Sequence, residues 1–439
     1  MNELTSVFLL LTVPLAPLLM AIPGLRRNLP WPVHWALLPA GVLLLIPGRV
    51  SVELPWMLLG QSGLAFDALS RWWLAMSVVL WAVAAAFLDS PANRQIGSSP
   101  RTTWLLLSLT GQMGLVLAPD LVGFFAFSSL MGYAFIGFLT VNGDANSRYA
   151  AKVYLVLLVI ADIALFEALL VFATISLDLS FAGLAESIAL SSAAGFAMLL
   201  TVAGFSLRAG LWPSHNWLLA AGGSAVPALG LLLWGGPVTA GLLGILRWLP
   251  LGVIRAAELG IPMLLLGLVA VLYALWFGLT RASPGQRTAC VIIALTGALM
   301  AIIGGGLAYP GFWQHYGKLV PAVIAGGGFV LTLSCLGMMV RQREQKFSVA
   351  AGVSETNLMF RFEGWLEARA YQLRHAGQDN LPRLLSAARG RLFSIWHLSE
   401  WKNRLDSGEH ILRRWSIAIV LFLLLATLTT LAGILSDSG

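Results

Sequence analysis

Charged side chains are scarce in this sequence. Only 11% of its 439 residues are Asp, Glu, Lys or Arg, whereas 58% are hydrophobic. A soluble globular domain carries about 25% charged residues, so the composition excludes an ordinary soluble domain and indicates a membrane protein. The 45 glycines and 17 tryptophans agree with this, because glycine is frequent in membrane helices and tryptophan at membrane interfaces.

Cysteine and histidine are also rare. Cys290 and Cys335 both lie within apolar runs, which is typical of reduced packing residues. No cysteines and histidines have the spacing of a metal or haem site, and there is no nucleophile triad or phosphate loop. The sequence therefore predicts no metal, no cofactor and no self-contained active site. The net charge of +7 is spread over loops and an end segment, so nucleic acid is not predicted as a partner.

Long apolar runs are what the sequence has in abundance. Because a helix needs about 20 apolar residues to cross a bilayer, we predict an all-α polytopic membrane protein with about 12 transmembrane helices. Short loops with Pro, Gly, Asn or Asp separate most of them. The predicted spans lie near residues 4–23, 31–47, 68–88, 102–118, 121–141, 151–174, 191–209, 226–246, 260–279, 288–308, 319–340 and 413–435.

The basic residues predict an orientation, since Lys and Arg favour cytoplasmic loops. If the N-terminus is outside, most loop Lys and Arg fall inside, while Arg49 and Arg255 fall in outside loops. Glu3 precedes the first apolar run and Arg26 and Arg27 follow it, the reverse of the charge order in a signal peptide. We therefore predict a multi-pass protein of the inner (cytoplasmic) membrane with both termini outside.

The stretch after the eleventh span differs in kind. It is charged and rich in Arg and Trp, and apolar residues such as Leu358, Phe362 and Trp365 recur at helical steps. This pattern is typical of amphipathic helices in the membrane interface, so we predict a lateral arm; a small soluble helical domain is the alternative. The predicted domains are N-terminal helices, a channel core, the cytoplasmic-side arm and a final span, at residues 1–118, 119–340, 341–412 and 413–439.

Ionisable residues inside membrane spans are costly and usually functional. Asp162, at the midpoint of "VYLVLLVIADIALFEALLVFA", is the strongest such signal. Two interpretations are open: a station in a proton or ion path, or a structural partner for a hydroxyl or an arginine elsewhere in the bundle. Glu167 is a second candidate for the path, although about 100° per residue turns it well off the face of Asp162.

The stretch "GFSLRAGLWPSHNWLLAAGG" combines a charge with helix-breaking residues. Arg208 either extends its side chain to the inside interface or lines a cavity. Gly210 and Pro213 favour the second interpretation, because broken helices at membrane depth line cavities. His215 is then a candidate proton relay. Pro227 predicts a further break before the next span.

Other polar residues mark the ends of spans. Asp67 and Asp120 each open a predicted span, where a carboxylate caps the helix N-terminus. Arg71, one turn after Asp67, predicts a local ion pair. The polar residues of "PGFWQHYGKLVPAV", which include Lys318, form either a solvated outer loop or a distal station of the path.

The residues around the break resemble the signature of the proton-conducting antiporter-like membrane subunits. This family includes the large antiporter-like subunits of complex I, Mrp-type cation/proton antiporters, membrane-bound hydrogenases and the membrane subunits of two-part inorganic-carbon pumps. The specific block is Pro213, His215, Trp217 and Leu218. The stretches "SAVPALGLLLWGGPVTAGLLGILR", "LAFDALSRWWLAM", "PDLVGFFAFSSLMGYAFIGFL" and "AKVYLVLLVIADIALFEALL" resemble other helices of the family.

The resemblance also identifies departures from the family pattern. Members pair a glutamate on the fifth helix with a lysine on the seventh, and these positions are Ser129 and Arg208 here. A buried lysine loses its proton readily but arginine keeps it, so Arg208 can bias a neighbouring carboxylate but is a poor relay. The usual histidine of the eighth helix falls on Leu233 and the next lysine on Gln286, while Lys318 matches a more distal lysine.

The resemblance implies three functions that the sequence leaves open. The first is a membrane subunit of a multisubunit ion-translocating complex. The second is a non-conducting scaffold or coupling subunit of such a complex, and the third is the membrane half of an inorganic-carbon uptake pump. All three imply membrane and peripheral partner subunits and the lipid bilayer, whereas the ion and the driving reaction are unspecified. For the first, the predicted proton path is Asp162, Arg208, His215, Lys318 and Glu167.

Overall fold

The structure is a computed structural model that describes residues 3–28, 32–53, 63–88, 99–141, 144–188, 194–224, 228–280 and 282–351. All of these residues fall within one compact unit. The predicted final span, the lateral arm beyond residue 351 and the predicted break at Pro227 lie outside the described residues.

The described residues are almost entirely helical, as the apolar runs predict. In chain order the helices are α1 Glu3–Ala21, α2 Pro23–Asn28, α3 Leu38–Leu44, α4 Ala68–Leu88, α5 Ser99–Leu117, α6 Leu121–Val141, α7 Ala145–Ile175, α8 Phe181–Ile188, α9 Ala194–Ala209, α10 Asn216–Gly222, α11 Leu229–Leu233, α12 Thr239–Trp248, α13 Ala257–Thr280, α14 Pro284–Ala308, α15 Pro310–Tyr316 and α16 Leu319–Ala351. A 3₁₀ turn, Val33–Leu37, precedes α3, and a π-helical segment, Trp234–Val238, joins α11 to α12.

The all-α polytopic class is confirmed, but within the described residues fewer long spans are found than the eleven predicted up to residue 340. Among the described residues, 7 helical stretches are long and apolar enough to cross a membrane, and three shorter apolar helices accompany them. The predicted second span is divided between the 3₁₀ turn and the short α3. Where an apolar run is unbroken, the agreement is close, since α4 and α6 have the predicted bounds.

A β-hairpin precedes α4 and is not predicted by the sequence. Strand β1, Val50–Glu53, pairs antiparallel with β2, Gly63–Phe66, and Val50 lies opposite Phe66. Leu64 and Phe66 are buried in the hydrophobic core. The hairpin therefore anchors the start of α4, where Asp67 lies.

Helices α7 and α9 pack in close contact. A Cβ atom at Gly204 of α9 would lie 2.5 Å from Cγ of Leu165 and 3.1 Å from the carbonyl oxygen of Ala161, both on α7. Only a residue without a side chain fits this contact. The approach brings the middle of α7 against the end of α9, which are the segments that carry Asp162 and Arg208.

Candidate functional site: an ion pair beside a broken helix

The chain is interrupted after the seventh predicted span, between α9 and α10. Helix α9 ends at Ala209 and α10 begins at Asn216. Gly210 adopts a φ of 65°, a conformation that glycine reaches at little cost. Pro213 follows within the turns that lead to α10 and has no backbone N–H to donate to a helix. Together these residues redirect the chain at the end of the seventh predicted span.

Arg208, Asp162 and Ser129 meet next to this interruption, from α9, α7 and α6. Nη2 of Arg208 donates a hydrogen bond to Oδ1 of Asp162 and another, of 2.9 Å, to Oγ of Ser129. The Ser129 hydroxyl in turn donates to Oδ2 of Asp162 at 3.4 Å. The three side chains therefore form a closed hydrogen-bonded cluster, which we call the Arg208 triad.

The Arg208 triad lies inside the helix bundle. The exposed fractions of the Arg208 and Asp162 side chains are 2% and 15%. The interpretation that Arg208 extends to the inside interface is therefore wrong, and the guanidinium is held at depth by its carboxylate. Removing one partner of a buried ion pair costs about 3–5 kcal/mol, because the remaining charge is left uncompensated. Loss of either charged partner is therefore expected to destabilise the fold.

Aromatic side chains surround the triad. The Phe125 ring centroid lies 5.9 Å from Cζ of Arg208, within the range of a cation–π interaction. Tyr133, one turn after Ser129 on α6, interacts with the Asp162 carboxylate. Nε and Nη1 of Arg208 have no hydrogen-bond partner within the described part of the chain. The guanidinium therefore retains donors for a second acceptor.

His215 occupies the far side of the interruption and is also buried, with 4% exposure. Its ring centroid lies 4.6 Å from that of Tyr273 on α13, with the rings inclined at 63°. Its backbone carbonyl accepts from the amide of Leu218 in the first turn of α10. His215 is thus a buried titratable group near the break, packed against α13 rather than in the triad.

Helix α7 contacts both halves of the broken helix. Asp144 caps α7 by accepting from the amide of Ser147 at 2.6 Å, and the same carboxylate accepts from the hydroxyl of Ser224 at 2.6 Å. Burial raises the pKa of Asp144, but the hydrogen bonds from Ser224 and Ser147 outweigh it, so the pKa is lowered overall. Helix α7 therefore makes three contacts along its length. Asp144 is hydrogen-bonded to Ser224, the rings of Tyr154 and Trp217 stack with their centroids 4.2 Å apart, and Asp162 pairs with Arg208.

Lys318 and Glu167 are not brought into the triad. Lys318 is exposed in the turn between α15 and α16, and Glu167 is partly exposed on α7. Leu233 is buried at the end of α11. Gln286 forms the capping box of α14 with Ser283. The two positions that the resemblance aligns with a histidine and a lysine therefore hold an apolar residue and a helix cap.

A second ion pair joins α4 to α12. Arg247 donates to the two carboxylate oxygens of Asp67 at 2.5 and 2.9 Å, and to Oγ of Ser70 at 2.8 Å. The predicted pair of Asp67 with Arg71 is wrong, because the Arg71 guanidinium donates instead to the carbonyls of Leu44 and Gly48. Sequence proximity favours a pair one turn apart, but the tertiary fold supplies a partner with bidentate geometry.

The capping roles predicted for Asp67 and Asp120 are confirmed. Asp67 accepts from the amide of Ser70, and Asp120 accepts from the amide of Gly123, each at 2.7 Å. Burial raises the pKa of Asp67, but the hydrogen bonds and charge of Arg247 outweigh it, so the pKa is lowered overall.

Two tryptophans of α4 hold the π-helical segment, a feature that sequence reasoning missed. Nε1 of Trp81 donates to the carbonyl of Gly235 at 2.8 Å, and Nε1 of Trp73 donates to the carbonyl of Thr239 at 3.3 Å. Pro237 lies within the segment and lacks the N–H that a regular helix uses. The "WGGPV" sequence was the available signal for this distortion.

Metal coordination has no support in the part of the chain that the structure describes. Within these residues, no three His, Cys, Asp or Glu side chains are close enough to hold a metal ion.

These features define a polytopic α-helical membrane protein with a buried ion pair beside a broken helix. Residues 118–286 match the family described as "NADH:quinone oxidoreductase/Mrp antiporter, TM". The matched segment contains the Arg208 triad and His215. The resemblance to antiporter-like membrane subunits seen in the sequence is therefore confirmed.

Solved structures with a similar fold come from membrane complexes. A chain of the Mrp complex from Dietzia sp. DQ12-45-1b superposes with a TM-score of 0.62 at 20% identity, covering 74% of this chain and 37% of that chain. A chain of the membrane-bound sulfane sulfur reductase, an archaeal respiratory membrane complex, has a TM-score of 0.62 at 18% identity, covering 76% of this chain and 56% of that chain. The protein therefore matches only part of the length of either chain. None of the curated proteins compared matches it.

Proposed function

We propose that this protein is a membrane subunit of a multisubunit ion-translocating complex and that protons cross it by way of Asp162. The observation that carries this proposal is the buried pair of Asp162 and Arg208 beside the interruption between α9 and α10. Ionisable residues at membrane depth are expensive and mark ion and proton pathways. The match of residues 118–286 to an antiporter family supports the same function.

Within the triad, Asp162 is the group that can change its protonation state. Arginine keeps its proton at physiological pH, and a serine hydroxyl exchanges protons without holding a charge. In the proposed step a proton binds a carboxylate oxygen of Asp162 and the guanidinium turns toward another acceptor, while Ser129 still touches both groups. When the proton leaves, the ion pair forms again and one proton has passed. His215, on the other side of the break, is the proposed second station, and Lys318 and Glu167, which also lie apart from the triad, stay predicted members of the path.

The proposed assembly follows from the same comparison. The two structures described above are of complexes, an Mrp complex and a respiratory membrane complex. We expect the protein to associate with other membrane and peripheral subunits in the inner membrane, with the predicted lateral arm lying against neighbouring subunits.

A second candidate function is coupling without conduction. It is favoured by the permanent charge of Arg208 and by Leu233 and Gln286, which do not supply relay groups. In that case, the triad and the contacts of α7 with both halves of the broken helix transmit a conformational change between partner subunits.

Replacing Asp162 distinguishes the two functions. We expect Asp162→Asn to abolish proton flux in vesicles reconstituted with the purified native complex, while Asp162→Glu retains flux because it keeps the carboxylate. Asp178→Asn is the matched control, since it makes the same chemical change in the loop after α7. Size-exclusion chromatography checks that each variant assembles. Wild-type flux in a normally assembled Asp162→Asn complex would refute conduction through Asp162 and favour coupling.

A further inference from the structure

An apolar groove runs along α1 on the surface of the protein, far in sequence from the Arg208 triad. It has a volume of about 660 Å³, and its walls come from α1, α2, the 3₁₀ turn and the start of α3. Thr12 is one of its lining residues, and its hydroxyl donates at 2.8 Å to the carbonyl of Leu9 in the same helix. Because this hydroxyl is satisfied within α1, the wall stays apolar and suits a hydrocarbon chain better than water.

The length of the groove matches one leaflet of a bilayer. The lining residues of α1 recur at three- and four-residue steps from Phe8 to Leu19, a distance of about 17 Å along an α-helix. Half of the hydrocarbon core of a bilayer is about 15 Å. A single acyl chain that enters at the Leu19 end therefore extends along the groove to Phe8.

Positive charge lies at one end of this groove. Among the described residues that line it, Arg26 is the only charged one. Its side chain is partly buried, and Nη2 donates at 3.3 Å to Oγ1 of Thr103 on α5, which holds the guanidinium in place. Trp35 lines the groove from the 3₁₀ turn that follows α2, and tryptophan is enriched at membrane interfaces.

Arg26 follows the first predicted span, on the side that the charge pattern assigns to the cytoplasm. The cytoplasmic leaflet is the one that carries anionic lipids, and basic pockets between spanning helices on that side bind their headgroups. We propose that the groove holds one anionic phospholipid of the cytoplasmic leaflet, with an acyl chain along α1 and the phosphate at Arg26. This site is independent of proton conduction.

Photo-crosslinking tests the site in the purified native complex. The complex is reconstituted in phosphatidylcholine vesicles that contain a small fraction of phosphatidylglycerol with a diazirine at the end of one acyl chain, and labelled residues are mapped by mass spectrometry. We expect labelling of α1 near Phe8 and Thr12. Excess unlabelled phosphatidylglycerol should suppress it, and phosphatidylcholine carrying the same diazirine should label these residues less.

The charge is tested by Arg26→Gln. We expect this variant to lower labelling by phosphatidylglycerol about fivefold, since one basic residue near the membrane surface contributes about that factor to the binding of anionic lipid. Arg26→Lys keeps the charge and should retain most of the labelling. Arg148→Gln is the matched control, because Arg148 is exposed at the start of α7 on the same predicted side and does not line the groove.

The apolar part is tested separately by Ala16→Phe. Ala16 lines the groove, so the larger ring fills it without changing a charge, and labelling of α1 should be lost. Leu18→Phe is the control, since Leu18 is exposed on the same helix but lies outside the groove.

Three outcomes overturn the proposal. Equal labelling by the two probes, unchanged in Arg26→Gln, means that ordinary boundary lipid passes along α1. Labelling that is lost in Ala16→Phe but unchanged in Arg26→Gln means that a chain binds without its phosphate at Arg26. No labelling of α1 in the assembled complex means that a partner subunit covers the groove. A complex without proton flux refutes the proposed function and leaves this test unaffected.

Discussion

At the scale of single residues, Asp67 shows how a membrane protein uses a charge at the end of a span. Its carboxylate caps α4 through Ser70 and accepts two hydrogen bonds from Arg247 of α12. The same group therefore satisfies a helix terminus and links two helices that are far apart in the sequence. Charge-assisted bidentate bonds of this kind are the stronger class of hydrogen bond.

The lowered pKa of Asp67 makes this link pH-dependent. A carboxylate whose pKa is lower in the folded than in the unfolded protein stabilises the fold above its unfolded pKa, about 3.9 for Asp. This contribution is lost as pH falls through the folded pKa. We expect Asp67→Asn to lower the free energy of unfolding by about 1–2 kcal/mol at pH 7.

Thermal unfolding of the purified protein across a pH series measures this effect. The difference between wild type and Asp67→Asn should shrink as the pH falls below about 4, because protonation removes the charge from the wild-type carboxylate as well. Asp178→Asn serves as the control for a loop aspartate. A difference that stays constant across the pH range would show that the Arg247 pair contributes nothing through charge.

At the scale of elements, α4 is the support of the distorted helix formed by α11, the π-helical segment and α12. Two of its residues and the preceding Asp67 contact that helix along its length: Asp67 with Arg247, Trp73 with Thr239, and Trp81 with Gly235. A π-helical turn leaves carbonyl groups outside the regular hydrogen-bond pattern. The two indole N–H groups satisfy carbonyls at this distortion, where there is no water to do so.

Trp81→Phe tests this support because it removes the indole N–H and keeps most of the ring. The carbonyl of Gly235 then loses its 2.8 Å bond, and an unsatisfied buried acceptor costs about 1–3 kcal/mol. We expect a corresponding loss of thermal stability in detergent. Trp72→Phe is the matched control, since its side chain is 59% exposed on the same helix. Equal effects of the two substitutions would contradict a specific role for Trp81.

Elements differ in how well the sequence predicts them, for physical reasons. Helices α4 and α6 are long apolar runs with turn residues at both ends, so their bounds follow from composition. The hairpin of β1 and β2 is too short to give a periodic signal. The π-helical segment is hydrogen-bonded to the indole groups of α4. Trp81 and Gly235 are 154 residues apart, and no local sequence pattern indicates a contact over that distance.

The candidate site was also predictable only in part: its residues follow from the sequence, but their pairing does not. Asp162 and Arg208 are identified by their rarity in apolar surroundings, and the interruption by Gly210 and Pro213. That Asp162 pairs with Arg208, 46 residues away, required the close packing of α7 on α9. For Asp162 the sequence left two alternatives, a structural partner of another residue or a station in a proton path. The structure shows that Asp162 pairs with Arg208. A paired carboxylate can also serve as a proton station, so the two roles are compatible.

At the scale of the whole molecule, the ion pairs and the predicted topology are mutually consistent. Asp67 opens the third predicted span and Arg247 closes the eighth. In a chain whose N-terminus is outside, both of these ends face outward. By the same reasoning, Asp144 and Ser224, which are hydrogen-bonded, both belong to the inside face. An alternating order of spans is needed to bring each of these pairs to one side of the membrane.

The orientation itself is testable because the chain provides a low background for thiol labelling. Its two cysteines, Cys290 and Cys335, are both buried, at 4% and 2% exposure. We expect Val253→Cys to react with a membrane-impermeant maleimide in intact spheroplasts, and Gly24→Cys to react only in inverted vesicles, since both positions are exposed and lie in loops predicted on opposite sides. The wild-type chain, which carries only the buried pair, is the control for background. The reverse pattern of labelling would invert the predicted topology and place the Asp67–Arg247 pair on the cytoplasmic face. Labelling of both variants from the same side would refute the predicted order of spans between residues 24 and 253.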